Sequence, residues 1–375
     1  MRVLVCAGGT GGGIYPALTA VAALHEFGVD REQILWVGIR GEMEEELVPR
    51  AGLTLTTIQG GPIVGVSLGT RVKNLSKLTW SIGSANQLIR QFRPDVALLT
   101  GGYMAAPVAA AARLQRVPIV IFLPDVEPGS AIKAITPLAQ KVACATDLSR
   151  PYIPAQKMVV TGYPVRPEIL AATRLSKEEA LAQFDLTTER PTLFVFGGSR
   201  GAWNINKALL DNLPRLLAQV QIIHISGTKT WPEVSAAAET LPADLRQWYR
   251  PYPYLHERMG AAFRAADLAL ARAGASMMGE CPAFGLPAIL VPLTFAWRYQ
   301  KVNAGYLSER GAAIQSTDER LPQEITSLVL DLLADGPRLQ TMQEAARALA
   351  RPEAAHRLAK LIQQTARQPR QGVAA

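Results

Sequence analysis

The chain has 375 residues, of which 49% are hydrophobic and 19% charged; that is enough for two packed cores and excludes a disordered chain. A formal net charge of +8 favours an anionic partner such as a nucleotide phosphate or an acidic membrane surface, although a mildly basic surface that only aids solubility would carry the same charge. The arginines are scattered and no nucleic-acid motif occurs, so nucleic acid is not expected as a partner.

Cys6, Cys144 and Cys281 lie in apolar surroundings without pairing or metal-ligand spacing, which reads as buried thiols in a reducing compartment. His25, His224, His256 and His356 form no ligand motif, and no metal or cofactor is expected. Arg2 is followed by only five apolar residues before a glycine run, the pattern of a strand and not of a signal peptide. Residues 96–112 are uncharged, but Gly101, Gly102 and Pro107 interrupt them, so a strand, a loop and a short helix fit better than a membrane span. The expectation is a cytoplasmic protein with peripheral attachment to the inner face of the membrane.

Residues 1–7 read as a short buried strand. Gly8-Gly9-Thr10-Gly11-Gly12-Gly13 follows, and a helix is expected over 17–27 with Pro16 in its first turn. No Lys follows the glycines, which excludes the GxxxxGK[ST] phosphate loop. No acidic residue closes the next strand, 34–37, so the dinucleotide fingerprint is poor. Further strands are expected at 53–58, 96–100, 119–123 and 141–145, separated by helices at 43–50, 72–92, 104–114 and 130–139. Such alternation gives a parallel sheet with helices on both faces. Glu42, Glu44, Glu45 and Glu46 read as a solvated helix face. Val72, Leu75, Leu78 and Ile82 fall near one helical face beside Arg71, Lys73 and Lys77, with Trp80 close by. This stripe suits either anionic lipid or ordinary packing on the core.

Residues 159–167 read as a last strand and a proline-punctuated linker. A second series opens at 192–196, followed by Gly197-Gly198-Ser199-Arg200-Gly201-Ala202, with later strands at 221–226, 268–271 and 288–291. Both halves thus begin with a strand, a Gly-Gly-[Thr/Ser] turn and a helix. The fold class expected is α/β: two doubly wound domains facing each other, residues 1–163 and 164–344, with ligands at the carboxyl ends of the strands. A basic helix within 345–366 is expected to return onto the first domain. Residues 272–287 combine a Gly-Ala turn with a short helix carrying Glu280, stopped by Gly285-Leu286-Pro287. Backbone N–H groups there face an anion, and one carboxylate can accept hydrogen bonds from sugar hydroxyls, as a nucleotide-diphosphate sugar requires. A plain strand-to-helix turn with a surface Glu280 is the alternative.

GGTGG, GGY at 101–103, GYPVR at 162–166, GGSRGA at 197–202, RAGA–E–FGLPA at 272–288, and Arg298-Tyr299-Gln300 with Asn303-Ala304 occur in this order. Together they resemble, over residues 1–345, the family 28 (MurG-like) glycosyltransferases of the bacterial cell wall. These move N-acetylglucosamine from its UDP form to a polyprenyl-linked acceptor, lipid I. The resemblance implies a GT-B fold, inverting transfer and no required metal. It places Gly198, Ser199, Arg200 and Gly201 around the donor diphosphate, with Arg272, Gly274 and Ala275 nearby. Tyr254 and Leu255 would flank the uracil, Glu280 would bind ribose and Gln300 a sugar hydroxyl. Gly11, Gly12, Gly13 and Arg166 would serve the acceptor, and Thr10 and Tyr103 would join the catalytic set.

An inverting transfer needs a base. Asp125, after the strand 119–123, is the candidate, although Pro124 and Pro128-Gly129 also make it a natural turn residue; Glu127 is a second candidate. Several polar family positions are changed. The His after GGTGG is Gly13, and the His-Glu-Gln-Asn run is Phe122-Leu123-Pro124-Asp125. The Asn of the GNPVR turn is Tyr163, a helix-preceding Thr is Met277, and the first of two glutamines is Tyr299. Pro282 should shorten or kink its helix. These changes leave open a related transferase with another sugar or acceptor, or a nucleotide-sugar-binding homologue without activity. An epimerase of similar build would need more carboxylates.

Overall fold

The computed structural model describes residues 1–8, 11–58, 68–198, 201–293 and 298–367, with the side chains of 68–79 and 298 outside the description. The chain divides into two compact units, Met1–Pro164 with Glu353–Ala375, and Val165–Pro352.

In the first unit, β1 (Val3–Cys6) leads into α1 (Gly11–Glu26), then β2 (Ile34–Ile39), α2 (Glu44–Arg50), β3 (Thr54–Ile58) and α3 (Leu68–Phe92). The chain continues through β4 (Val96–Leu99), α4 (Ala105–Leu114), β5 (Ile119–Leu123), α5 (Ser130–Ile135), β6 (Lys141–Cys144) and β7 (Met158–Val160). The seven strands form one parallel sheet in the order β3-β2-β1-β4-β5-β6-β7. Strands β1, β4 and β5 are buried along their whole length, as expected of a sheet covered on both faces. Helix α1 begins at Gly11, earlier than expected, because the glycine run itself winds into the first turns. Pro16 therefore lies one turn further into the helix than expected.

The second unit opens with α6 (Pro167–Ala171) and α7 (Lys177–Ala182). It continues with β8 (Thr192–Phe196), α8 (Trp203–Leu217), β9 (Gln221–Ile225), α9 (Trp231–Glu239), α10 (Ala243–Arg246), β10 (Tyr249–Tyr252) and α11 (Met259–Ala265). Then come β11 (Leu268–Ala271), α12 (Met277–Phe284), β12 (Ala288–Leu290), α13 (Arg298–Ser308), β13 (Ala313–Gln315), α14 (Leu321–Ala334) and α15 (Gly336–Leu349). Its sheet is parallel, in the order β10-β9-β8-β11-β12-β13. The two edge strands were not expected from the sequence. β10 contains Pro251, which an edge tolerates because one side of its backbone needs no donor; β13 is only three residues long.

The tail divides between the units. Helix α15 packs on α12 and stays in the second unit, whereas the last helix, α16 (Ala354–Ala366), packs on α1. The helix expected over 345–366 is thus two helices, broken at Ala350-Arg351-Pro352, and only the second returns. Leu358 and Ile362 of α16 are fully buried, each contributing roughly 1.5–3 kcal/mol of apolar burial.

Candidate active site

In each sheet the strand order reverses direction at one point, β1/β4 in the first unit and β8/β11 in the second. Loops leaving the carboxyl ends of such a pair run to opposite faces and open a crevice, where ligands of doubly wound sheets bind. GGTGG, GGY, GGSRGA and RAGA each leave one of these four strands, whereas GYPVR follows β7.

In the first unit, Gly8 and the first turn of α1 stand at the end of β1, and Thr100-Gly101-Gly102-Tyr103 at the end of β4. Thr10 lies outside the described residues. A cleft here is lined by Cys6, Gly8, Glu44, Gly101, Gly102 and Tyr103. The loops approach too closely for side chains. A Cβ on Gly8 would fall 2.5 Å from Glu44 Oε1, and one on Gly13 would fall 2.9 Å from Thr100 Oγ1. Glu44, expected on a solvated face, is fully buried and accepts a hydrogen bond from the Ile39 N–H at 3.2 Å. Its position on α2 is shared, one turn on, by the buried Val48; that spacing was the overlooked signal. Glu42 is also engaged, accepting from the Tyr103 hydroxyl at 3.3 Å. Burial first, then the charge of Glu42 and its hydrogen bond, push the Tyr103 phenol up to about 12. Tyr103 is therefore a neutral hydrogen-bond donor at physiological pH.

Asp125 is half-buried just past β5. Glu127 is 2% exposed and pairs with Lys133 at 3.0 Å, a structural role. Two of the changed family positions form one packing unit: Tyr163 sets its ring edge-on to Phe122, with centroids 6.2 Å apart.

In the second unit, Gly197 and Gly198 leave β8, and Gly201 precedes α8; Ser199 and Arg200 lie outside the described residues. Gly201 has φ 77°, and a Cβ there would fall 2.2 Å from the Ser226 carbonyl oxygen, so only glycine fits. Open space surrounds the Cα of Gly198 and of Gly274, leaving their backbones accessible to a ligand. Behind this turn lies a buried network that the sequence did not reveal. Asn206 donates to the Ser226 carbonyl and to Thr230 Oγ1, both at 2.8 Å. His224 bridges Asn206 Oδ1 at 3.0 Å and the Tyr249 hydroxyl at 2.7 Å. Burial holds the His224 imidazole down to about 3, hence neutral.

Glu280 sits in the first turn of α12, after β11, and is 7% exposed. Burial raises its carboxyl above the usual range, opposed by Arg166, whose Nη2 is 3.9 Å away, and by a hydrogen bond with Ser276. Arg166, expected with the acceptor residues, belongs to the second unit and faces Glu280 and Glu168. Arg272, expected at the donor, has Nη1 2.8 Å from Asp318 and donating to the Val291 carbonyl at 3.1 Å. Ala275 and Leu255 are buried, and Tyr254 is half-buried with its ring edge-on to His256. The Gln300 amide oxygen accepts from the Leu293 N–H at 3.0 Å. Helix α12 runs past Pro282 to Phe284 and ends at Gly285, whose φ of 60° suits a glycine cap. Among the described residues no group of three or more His, Cys, Asp or Glu comes together to hold a metal ion.

Comparison with known proteins gives one consistent family. Residues 3–144 match the glycosyltransferase family 28 N-terminal domain, and residues 192–360 match the family 28 C-terminal domain. A Roseiflexus protein named UDP-N-acetylglucosamine–N-acetylmuramyl-(pentapeptide) pyrophosphoryl-undecaprenol N-acetylglucosamine transferase is 38% identical, across 97% of this chain and 94% of that protein. The Moorella thermoacetica protein of the same name is 36% identical over 97% and 99%. The crystal structure of Acinetobacter baumannii MurG matches with TM-score 0.77 at 26% identity, covering 97% of this chain and 99% of that one. A UDP-GlcNAc 2-epimerase from Neisseria meningitidis shares the fold alone, at TM-score 0.66 and 14% identity. The glycine turns at both switch points, the Glu280 helix and these full-length matches lead to one conclusion: this chain is a GT-B enzyme that belongs to glycosyltransferase family 28.

Proposed function

We propose that this enzyme transfers N-acetylglucosamine from UDP-N-acetylglucosamine to undecaprenyl-pyrophosphoryl-N-acetylmuramyl-pentapeptide, with inversion and without a required metal, as a step of peptidoglycan synthesis. The observation that carries the reading is identity of 36–38% over 97% of the chain to enzymes named for that reaction. The second unit is read as the donor unit. Gly198, Ser199, Arg200 and Gly201 wrap the diphosphate, and Gly274 and Ala275 offer backbone N–H groups. Glu280 takes the ribose hydroxyls, Tyr254 and Leu255 the uracil, and Gln300 the sugar. The contact of Arg166 with Glu280 supports a donor-side role for that arginine. Arg272, held through Nη1 by Asp318, is placed beside the donor diphosphate.

The first unit is read as the acceptor unit, with Gly11, Gly12, Gly13 and Thr10 at the glycine turn and Tyr103 as a neutral donor. Asp125 removes the proton from the acceptor hydroxyl. That oxygen attacks the anomeric carbon of the sugar, the bond to the β-phosphate oxygen breaks, and UDP leaves with the electron pair. The N-termini of α8 and α12 and the charge of Arg200 stabilise the departing diphosphate.

Labelled UDP-N-acetylglucosamine and the lipid-linked acceptor test this directly. Wild-type enzyme should form product in EDTA as well as without it. Asp125→Asn should lower turnover by about 10²–10⁴-fold with donor affinity unchanged. Donor binding without transfer to any lipid acceptor would overturn the reading, and full activity of Asp125→Asn would remove Asp125 from the mechanism.

A further inference from the structure

Three neighbouring strands of the second sheet end in register. Ala271 of β11 pairs with Leu290 of β12, and Leu290 pairs with Gln315 of β13. Residues just beyond these ends share the edge of the sheet at which doubly wound folds bind ligands. Arg272, Val291 and Asp318 are three such residues. The Arg272 side chain reaches sideways over the end of β12. Its Nη1 donates to the Val291 carbonyl at 3.1 Å and lies 2.8 Å from Asp318 Oδ1, and both charged side chains are 10% exposed.

This pair is poorly built for stability. Asp318 Oδ1 is sealed from water and accepts no aligned hydrogen bond, so Arg272 holds it through charge alone. A buried carboxylate oxygen without an aligned donor keeps much of its desolvation cost, and buried ion pairs are weak contributors to stability. What the pair does fix is the guanidinium. With Nη1 tied to the ends of β12 and β13, the opposite edge of the group, Nε and Nη2, faces away from Asp318. That edge has no partner among the described residues, and unlike Asp318 Oδ1 it is not sealed from water. The root of the side chain is placed as firmly as its tip, because Asn303 donates to the adjoining Ala273 carbonyl at 3.2 Å.

Resting on the donor reading above, we infer that Asp318 is a positioning residue of the donor unit: it holds Arg272 by Nη1 so that the Nε–Nη2 edge is presented, already oriented, to the donor diphosphate. Such an edge offers two parallel N–H groups to two phosphoryl oxygens. An arginine held in advance also loses less rotamer freedom on binding than a loose one. Asp318 touches no substrate and acts through Arg272. Its effect falls on ligands that carry a diphosphate and spares the nucleoside.

Asp318→Asn keeps the shape and removes the charge. UDP should bind this variant about tenfold more weakly than wild type, with the affinity for uridine unchanged. The donor KM should rise by a similar factor while the acceptor KM stays the same. In an Arg272→Met background, Asp318→Asn should have no further effect on UDP, because the group it positions is gone. Should Asp318→Asn fail to fold, Arg272→Met combined with Asp318→Leu removes both buried charges at once. That protein should bind uridine as wild type does and UDP about tenfold more weakly. Unchanged or tighter UDP binding by Asp318→Asn, an equal loss for uridine and UDP, or an additive loss in the Arg272→Met background would each overturn the positioning role and leave the transferase reading standing. Wild-type UDP affinity in the doubly substituted protein would do the same. Absence of UDP binding and of transfer in wild type would instead remove the reading on which it rests.

Discussion

At the scale of single residues, the ribose contact proposed for Glu280 stands in opposition to stability. Burial disfavours its ionised form, and Arg166 at 3.9 Å is too far to compensate by direct hydrogen bonding. A carboxyl whose folded pKa is raised costs stability as pH rises from its unfolded pKa through its folded one. Glu280→Gln should therefore melt no lower than wild type at neutral pH. Glu280→Ala should weaken UDP-N-acetylglucosamine binding by roughly 1.5–3 kcal/mol, because a charged acceptor of ribose hydrogen bonds is lost. Calorimetry on the three proteins checks both statements; equal donor affinity in wild type and Glu280→Ala would end the ribose assignment. Glu280 was legible in the sequence because a glycine turn and a helix start are local signals. Glu44 and Asp318 were not, since each meets a partner that no local pattern announces.

At the scale of elements, the strand–turn–helix opening the second unit is braced from behind. Asn206 on α8, His224 on β9 and Tyr249 on β10 tie three elements together beneath the Ser226 carbonyl on which Gly201 packs. His224 titrates near 6.5 when unfolded but is held down to about 3 in the fold. The unfolded chain thus binds one more proton between those values, and stability must fall as pH drops through that window. The slope from this residue is about 1.4 kcal/mol per pH unit, an upper bound for one proton. Denaturant unfolding at pH 7, 6, 5 and 4 reads this slope; in His224→Gln it should flatten, at the cost of lower stability at pH 7. An unchanged slope in that variant would assign the acid sensitivity elsewhere. The glycine pattern announced the turn, but no sequence period announces a brace built from one residue on each of three elements.

For the whole molecule, the net charge of +8 and the surface of the first unit bear on where the enzyme works. Among the described residues no helix is long and apolar enough to cross a membrane. Trp80 on α3 and Leu114 on α4, helices that pack together, are 69% and 68% exposed. Arg71, Lys73 and Lys77 lie on the earlier turns of α3, where side chains fall outside the described residues. Exposed aromatic and aliphatic groups on a chain of net positive charge suit an anionic bilayer surface. The protein should sediment with vesicles containing anionic lipid at low salt and be released at high salt. Neutralising Arg71, Lys73 and Lys77 together should abolish that retention; undiminished binding would place the contact on another face.

By itself the sequence determined the parts governed by neighbours in the chain. Buried strands appeared as short apolar runs, helices as spacing between them, and the turns at the sheet switch points as glycine clusters at strand ends. The order of those parts was enough to expect two parallel sheets. The tertiary structure alone decided what depends on residues brought together from far along the chain. It buried Glu44 beneath Gly8, turned Arg166 to Glu280 and occupied Arg272 with Asp318. It also kept α15 in the second unit while α16 joined the first, and added the edge strands β10 and β13. A local pattern fixes which way a side chain leaves the backbone; the partner it then meets is set by sheet order and helix packing, which act between segments that the sequence keeps apart.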